Sequence, residues 1–155
     1  MTDKTAPFTF AIAIAIAIAI AIAIAIALTL LSGCATSPLP NAAASIAPSS
    51  RVVANDLQVQ REGTTKLTIK RDSGFMGIAC AHQVFINARR VAQLRSGELV
   101  HFFVTPGKYL LSVTAEGICG GGVAETEATL EPGRAKSYRI SAGQDGTLAI
   151  SPTAF

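Results

Sequence analysis

The sequence predicts an all-β domain, a small antiparallel β-sandwich, that follows an apolar N-terminal segment in a chain of 155 residues. From residue 51 onward, short apolar runs recur about every 8 to 12 residues, and several alternate in polarity, as in Lys66–Lys70 and Tyr109–Val113. Turn sequences containing Gly, Pro or Asp separate these runs, and no window of a dozen residues keeps a helical period. Residues 51–155 are enough for the core of one such domain.

The first 33 residues predict a signal peptide with an apolar helix. Between Ala11 and Ala27 the chain alternates Ala and Ile. Both residue types are apolar, and a lone strand could not satisfy its backbone groups in lipid, so this run is interpreted as a helix. From Phe8 to Leu31 the helix would measure about 36 Å, enough to cross a hydrocarbon core of about 30 Å. Because this is long for a signal peptide, a single-span membrane protein with an uncleaved helix is the alternative.

The tetrad Leu31-Ser32-Gly33-Cys34 closes the apolar run. A signal peptidase needs small residues before the bond it cuts, and lipoprotein processing needs a cysteine directly after that bond to carry the lipid. The tetrad resembles the lipobox of bacterial lipoproteins. The resemblance implies cleavage before Cys34 and lipidation of that residue. Ala35, where Asp would signal inner-membrane retention, resembles the pattern of lipoproteins anchored in the cell outer membrane and facing the periplasm.

Residues 34–50 are predicted to be the lipidated cysteine and a disordered tether. The part after Cys34 consists mainly of Ala, Ser and Pro and has no charge. Such a composition buries too little apolar surface to offset the entropy of ordering it. As a flexible coil, sixteen residues would reach roughly 22 Å. The sequence therefore predicts three segments, 1–33, 34–50 and 51–155.

Ten runs after the tether are predicted to form strands. In chain order they are Val59–Arg61 with the segment before it, Lys66–Lys70, Gly77–Ala81, Gln83–Ile86, Arg90–Leu94, Leu99–Val104, Tyr109–Thr114, Val123–Leu130, Ala135–Ile140 and Thr147–Ile150. Asn87-Ala88 stands where Asn-Gly would make the tightest hairpin, so a looser turn is expected there.

Two stretches, Val84–Val91 and Phe103–Val113, carry a second resemblance. Together with the turns Pro106-Gly107 and Pro132-Gly133, they resemble the small β-sandwich modules described as PEGA-like or carboxypeptidase-regulatory-like. The resemblance extends over about 85 residues and rests on strand and turn patterns rather than on a catalytic signature. It implies a binding or scaffolding role without specifying a ligand.

The remaining two cysteines, Cys80 and Cys119, are predicted to form a disulfide. With Cys34 assigned to lipid they are the one remaining pair, in a compartment that permits oxidation. Two unpaired buried thiols are one alternative. A metal site made of Cys80, His82, Cys119 and His101 is the other, although these residues lack the paired spacing of zinc signatures.

Charge and motif content narrow the function classes. After Gly33 the chain has 12 Lys and Arg against 9 Asp and Glu, scattered along the sequence, so no basic stripe predicts a nucleic-acid partner. His82 and His101 are candidate general bases, but no nucleophile motif accompanies them. The sequence predicts a noncatalytic lipid-anchored envelope protein that binds a protein or glycan partner and uses no cofactor. The alternative is a lipid-anchored hydrolase or metal-binding protein using one of these histidines.

Overall fold

The computed structural model describes residues 14–25, 36–74, 79–117, 122–143 and 145–154. The chain divides into two units, Met1–Cys34 and Ala35–Phe155. In the first unit, residues 14–25 are helical. Within the described ranges, no helix combines the length and the hydropathy that a membrane crossing requires. The tetrad ending in Cys34 lies outside the described residues, so cleavage and lipidation there stay predictions.

The described part of the second unit contains nine strands in two sheets. In chain order they are β1 (Ser45–Ile46), β2 (Thr65–Arg71), β3 (His82–Ile86), β4 (Arg89–Leu94), β5 (Glu98–Val104), β6 (Gly107–Ala115), β7 (Val123–Leu130), β8 (Lys136–Ala142) and β9 (Leu148–Thr153). Short 3₁₀ helices precede β2 at Asn41–Ala43, Ser49–Arg51 and Asn55–Leu57. One sheet has the order β1-β5-β2-β8-β9 and the other β4-β3-β6-β7. The predicted all-β sandwich is confirmed.

Strand direction differs between the two sheets. The four-stranded sheet is antiparallel throughout. In the five-stranded sheet, β2 runs parallel to β8 and β1 runs parallel to β5, whereas its other pairs are antiparallel. This sheet is therefore mixed. Alternating polarity tells which face of a strand is buried but not which way a neighbour runs, so the sequence pattern could not reveal this.

The core lies between the sheets and is built from the inward-facing residues of each alternation. On β2 these include Leu67 and Ile69, on β3 Val84, on β5 Phe102 and on β6 Leu111, all fully buried. Removal of this apolar surface from water is the main force that holds the two sheets together.

One of the ten predicted strands is not found, and a second is not a strand in its described part. Val59–Arg61 has no strand structure, because it belongs to a loop between β1 and β2 and pairs with no neighbour. In Gly77–Ala81, the first two residues lie outside the described ranges, and residues 79–81 form a turn and irregular chain. An alternating run becomes a strand only where a sheet edge accepts its backbone hydrogen bonds.

The turn between β3 and β4 is tighter than expected. Ile86 pairs directly with Arg89, which leaves a two-residue loop. Asn87 and Ala88 both have positive φ, 48° and 63°, as a type I′ turn requires. Asn87 is held in place because its backbone N–H donates to Leu110 O (2.9 Å) and its side-chain Oδ1 accepts from Leu110 N (2.8 Å).

The predicted disordered tether is wrong for the part that the structure describes. Residues 36–54, called the strap below, lie along the sandwich. Ser45 N donates to Gly97 O (3.0 Å) and Ala47 N to Leu99 O (2.8 Å), so β1 extends the five-stranded sheet at the edge of β5. The free N–H and C=O groups of that sheet edge offset the entropy that the composition alone could not.

The end of the strap reaches the other sheet. Val53 N and Ala54 N both donate to Val91 O, at 2.9 and 3.1 Å, which covers the outer edge of β4. The small side chains of Ala47, Val52 and Ala54 are buried at 4%, 4% and 0% exposure. The strap thus joins the edges of both sheets and completes the core between them.

Candidate functional site

A cleft of about 460 Å³ opens at one pole of the sandwich. It lies between the loop that precedes β2, the β3–β4 turn and the turn from β5 to β6. Its walls are mainly apolar and include Leu57, Val59, Ile86, Val91, Phe103, Val104 and the ring of Tyr109. Polar groups of Asp56, Arg61, Thr64, Asn87, Arg89 and Thr105 complete the lining. Concave sites with apolar walls and a few polar groups are typical of ligand binding.

The loop before β2 brings Arg61 to the cleft. Thr64 Oγ1 donates to Arg61 O (2.6 Å), and Thr64 N donates to the same oxygen (3.2 Å). This local turn fixes the backbone of Arg61 just before β2 begins. Within the described ranges the guanidinium of Arg61 has no carboxylate partner, so its donors are available to a ligand.

Asp56 and Arg89 form a bidentate ion pair in the lining. Arg89 Nη1 donates to Asp56 Oδ2 (2.9 Å) and Nη2 to Oδ1 (2.6 Å). The hydrogen bond from Arg89 holds the pKa of Asp56 below its usual range, and the same bond raises the pKa of Arg89. A carboxylate held ionised in this way is a poor proton donor at neutral pH, so the pair is better suited to recognition than to acid catalysis.

Aromatic and amide groups also line the cleft. The hydroxyl of Tyr109 donates to Thr105 O (2.7 Å), which fixes the orientation of its ring. Asn87 uses its side-chain oxygen on Leu110 N, so its amide nitrogen remains as a donor. Phe103 adds a second ring to the lining. These groups could hold a segment with one apolar face and several acceptor atoms.

His82, one of the two predicted candidate bases, does not line the cleft. It lies on β3 with 2% exposure, and its Nδ1 has no hydrogen-bond partner within the described part of the chain. Burial, reinforced by the charge of Arg71, lowers the pKa of His82 to about 4. The imidazole is therefore neutral at physiological pH and out of reach of a substrate in solution.

This burial predicts a pH-dependent stability. Between about pH 7.5 and about pH 5, we expect the free energy of unfolding to fall by about 2 kcal/mol through His82. Over this range the unfolded chain, with a pKa near 6.5, binds a proton that the folded protein, with a pKa of about 4, excludes. The contribution is complete above about pH 7.5 and is lost as the pH falls toward 4. Urea unfolding at a series of pH values should show this slope in the wild type and lose most of it in His82→Gln.

His101 provides the matched control. It lies on the outward face of β5, half-buried, with Nδ1 2.9 Å from Thr68 Oγ1. Burial, followed by the charge of Lys66, also lowers its pKa. We expect His101→Gln to keep most of the wild-type slope. A slope that survives in His82→Gln and disappears in His101→Gln would contradict the prediction, because His101 would then be the titrating residue.

The two histidines belong to different sheets and neither contacts the cleft, so no shared catalytic centre forms around them. In the described residues, no three His, Cys, Asp or Glu side chains are grouped closely enough to hold a metal ion. Cys119, the remaining member of the alternative metal set, lies outside the described residues.

Cys80 is 9% exposed and takes part in a disulfide. Its carbonyl accepts a hydrogen bond from the guanidinium of Arg71, a fully buried side chain at the end of β2. The other two cysteines, Cys34 and Cys119, both lie outside the described residues. The pairing of Cys80 with Cys119 therefore stays a prediction.

Sequence reasoning missed the residues of the cleft. Asp56 and Arg89 are 33 positions apart, and Tyr109 is further still, so no local motif links them. The nearest signal is the pair of turn sequences, Asn87-Ala88 and Pro106-Gly107, which lie next to lining residues such as Arg89 and Thr105. Their meeting depends on the sandwich topology rather than on spacing along the chain.

Comparisons with known proteins add little. No family model matches the chain, and no curated protein matches it. Among solved structures, the chain is similar to a protein from Eubacterium rectale whose structure was determined by NMR. The TM-score is 0.42 at 14% identity, covering 59% of this chain and 89% of that one. A likeness of this strength carries no argument about fold or function.

Proposed function

We propose that this chain is a noncatalytic, lipid-anchored protein of the cell envelope whose sandwich binds a partner, protein or glycan, in the cleft. The observation that carries the proposal is the cleft itself. Its volume of about 460 Å³ lies in the range of ligand sites, about 300 to 1,000 Å³. The tetrad before Ala35 supports the anchor, and Ala35 itself supports a position in the outer membrane facing the periplasm.

The lining favours a particular kind of ligand. The rings of Phe103 and Tyr109 offer apolar contact, while Arg61 and the amide of Asn87 offer donors. A ligand segment with one apolar face and acceptor atoms at its edge satisfies both. A sugar ring of an envelope glycan and an extended peptide segment each have this chemistry, and the experiment below distinguishes the two sources.

The chemistry of the cleft also favours binding over hydrolysis. Its carboxylate, Asp56, is ion-paired and has a lowered pKa, and both histidines of the described ranges lie elsewhere. General acid and base catalysis needs a group whose pKa lies near the working pH and whose atoms reach the substrate. The lining includes no group that combines the two.

Crosslinking in cells tests the proposed site. A photoreactive amino acid at Val59, which is 57% exposed in the cleft lining, should give an adduct in intact cells. The same substitution at Val123, 64% exposed on β7, is the matched control and should give none. Sensitivity of the adduct to protease identifies a protein partner, and sensitivity to wall-degrading glycosidase identifies a glycan.

A side-chain change in the cleft makes the test specific. We expect Arg61→Ala to reduce the yield of the Val59 adduct about tenfold, because a hydrogen bond from a charged donor contributes about 1.5 to 3 kcal/mol. Equal adducts from Val59 and Val123, or an Arg61→Ala yield equal to the wild type, would contradict the cleft as the binding site.

The anchor is tested separately by the intact mass of the membrane-extracted protein. A mass that begins at Cys34 and includes acyl chains, absent in Cys34→Ser, is the expected result. Two thiols that appear only after reduction would support the Cys80–Cys119 disulfide. A full-length mass without lipid would favour the single-span alternative.

A further inference from the structure

We infer that the sandwich rests directly on the membrane surface, with its cleft turned away from the lipid toward the aqueous compartment. This orientation depends on the lipid at Cys34 proposed above. It replaces the picture of a domain that moves freely at the end of a tether, and it limits which partners can reach the cleft.

The strap is bound to the sandwich from its first described residue. Thr36 donates from both N and Oγ1 to Ala142 O, at 3.5 and 3.1 Å, and Thr36 Oγ1 accepts from Ala142 N at 3.1 Å. Ser37 N donates to Ser73 O at 2.7 Å. Ala35 alone separates Thr36 from Cys34, so the Cα atoms of these two residues lie at most about 7 Å apart. The pole at the end of β8 must therefore lie close to the lipid.

The cleft lies at the opposite pole. β2 begins at Thr65, which pairs with Val104 beside the cleft, and ends at Arg71, which pairs with Ile140 near the end of β8. Seven residues of strand at about 3.3 Å each place roughly 20 Å between the two ends. The distance is fixed by the sheet itself rather than by a flexible linker.

Among the residues that the structure describes at the pole near the lipid, several are polar. Thr36, Ser37 and Ser73 carry hydroxyl groups, and Ser96 Oγ donates toward Asp72 O (3.5 Å) and Gly74 O (3.4 Å) in the same region. Side chains of this kind suit contact with lipid headgroups rather than insertion among acyl chains. The cleft then receives a periplasmic or wall-attached segment, and a lipid of the anchoring leaflet cannot reach it.

Two matched labels test this orientation in the full, lipidated protein. Ala149, paired with Ser141, lies near the pole of Thr36, and Ala154 lies at the other end of β9, roughly 16 Å away. Both residues are exposed. A fluorophore is attached to Ala149→Cys or Ala154→Cys without reduction, with the unsubstituted protein as labelling blank. The proteins are placed in phosphatidylethanolamine and phosphatidylglycerol vesicles that contain some headgroup-nitroxide lipid. We expect at least about twofold stronger quenching at position 149.

A lengthened linker is the second variant. Insertion of about twelve Gly and Ser residues between Ala35 and Thr36 leaves the sandwich intact and should abolish the difference between the two labels. Equal quenching of the two labels, or a difference unaffected by the insertion, would overturn the orientation while the lipid on Cys34 is confirmed by mass. A mass without lipid would instead overturn the proposed anchor, and the orientation with it.

Discussion

Asp72→Ala should lower the free energy of unfolding by about 3 to 5 kcal/mol, a large share of the 5 to 15 kcal/mol typical of a domain. The Asp72 carboxylate is fully buried and accepts from Arg139 through Nε (2.9 Å) and through a second guanidinium nitrogen. Lys70, 1% exposed, is close enough for the charge of Asp72 to act on it. Removing the carboxylate leaves the buried Lys70 close to Arg139, whose side chain is 26% exposed, without the negative charge between them.

The pKa of Lys70 reflects this balance. Burial lowers it, the negative charge of Asp72 raises it, and the positive charge of Arg139 lowers it again. In Asp72→Ala the charge that raises the pKa of Lys70 is gone, so its pKa falls further. The loss of stability therefore involves the side chains of Lys70 and Arg139 as well as that of Asp72.

Chemical denaturation in urea measures the effect against a matched exposed pair. Glu131 and Arg134 form an ion pair at 2.8 Å with 50% and 76% of their side chains exposed, so Glu131→Ala should cost no more than about 0.5 kcal/mol. The double variant Asp72→Ala with Arg139→Leu should recover part of the loss, because it also removes one stranded cation. A loss for Asp72→Ala as small as that for Glu131→Ala would show that the buried pair is not needed for stability.

Sequence periodicity predicted the sandwich because alternation is a property of neighbouring residues within one strand. Alternation in runs such as Lys66–Lys70, bounded by turn residues, determines which side chains enter the core, and the structure places Leu67 and Ile69 there. The choice of which strands pair with each other is not determined by neighbouring residues in this way. The parallel contact of β2 with β8 joins residues about 70 positions apart, and no property of either strand alone specifies it.

The site was less predictable than the fold for the same reason. The cleft brings together Asp56, Arg89 and Tyr109 from three separate loops and strands, whereas the residues that attracted attention by type, His82 and His101, serve packing and local hydrogen bonding. Residue chemistry marks candidates, but topology decides which of them meet in a cavity.

The strap shows where compositional reasoning fails. A stretch of Ala, Ser and Pro without charge has little apolar surface of its own, which is why it predicts disorder. Its stability in this fold comes from outside the segment: the β5 edge accepts β1, Val91 O accepts from Val53 N, and the core has room for Ala47. An unpaired sheet edge is a binding site for extended chain whatever its composition.

Replacing residues 36–47 with Gly and Ser of equal length should therefore lower the free energy of unfolding by at least about 3 kcal/mol. The variant loses the burial of Ala47 and the hydrogen bonds of the Thr36 side chain, and each added Gly makes the ordering of the strap less favourable by roughly 0.5 to 1 kcal/mol. A free tether, as the composition alone predicts, would tolerate the replacement without cost.

Urea unfolding measures the predicted loss of stability, and native-state hydrogen exchange measures whether the strap is bound to the sandwich. Ile46→Ser is the matched control, since Ile46 lies in the same strand with 70% exposure and should matter little. In the wild type, the amides of Ser45 and Ala47 donate to Gly97 and Leu99 and should be protected from exchange, and in the replacement variant they should exchange freely. Unchanged stability together with unprotected wild-type amides would mean that the strap is free in solution. The short connection between lipid and sandwich would then no longer hold the cleft away from the membrane.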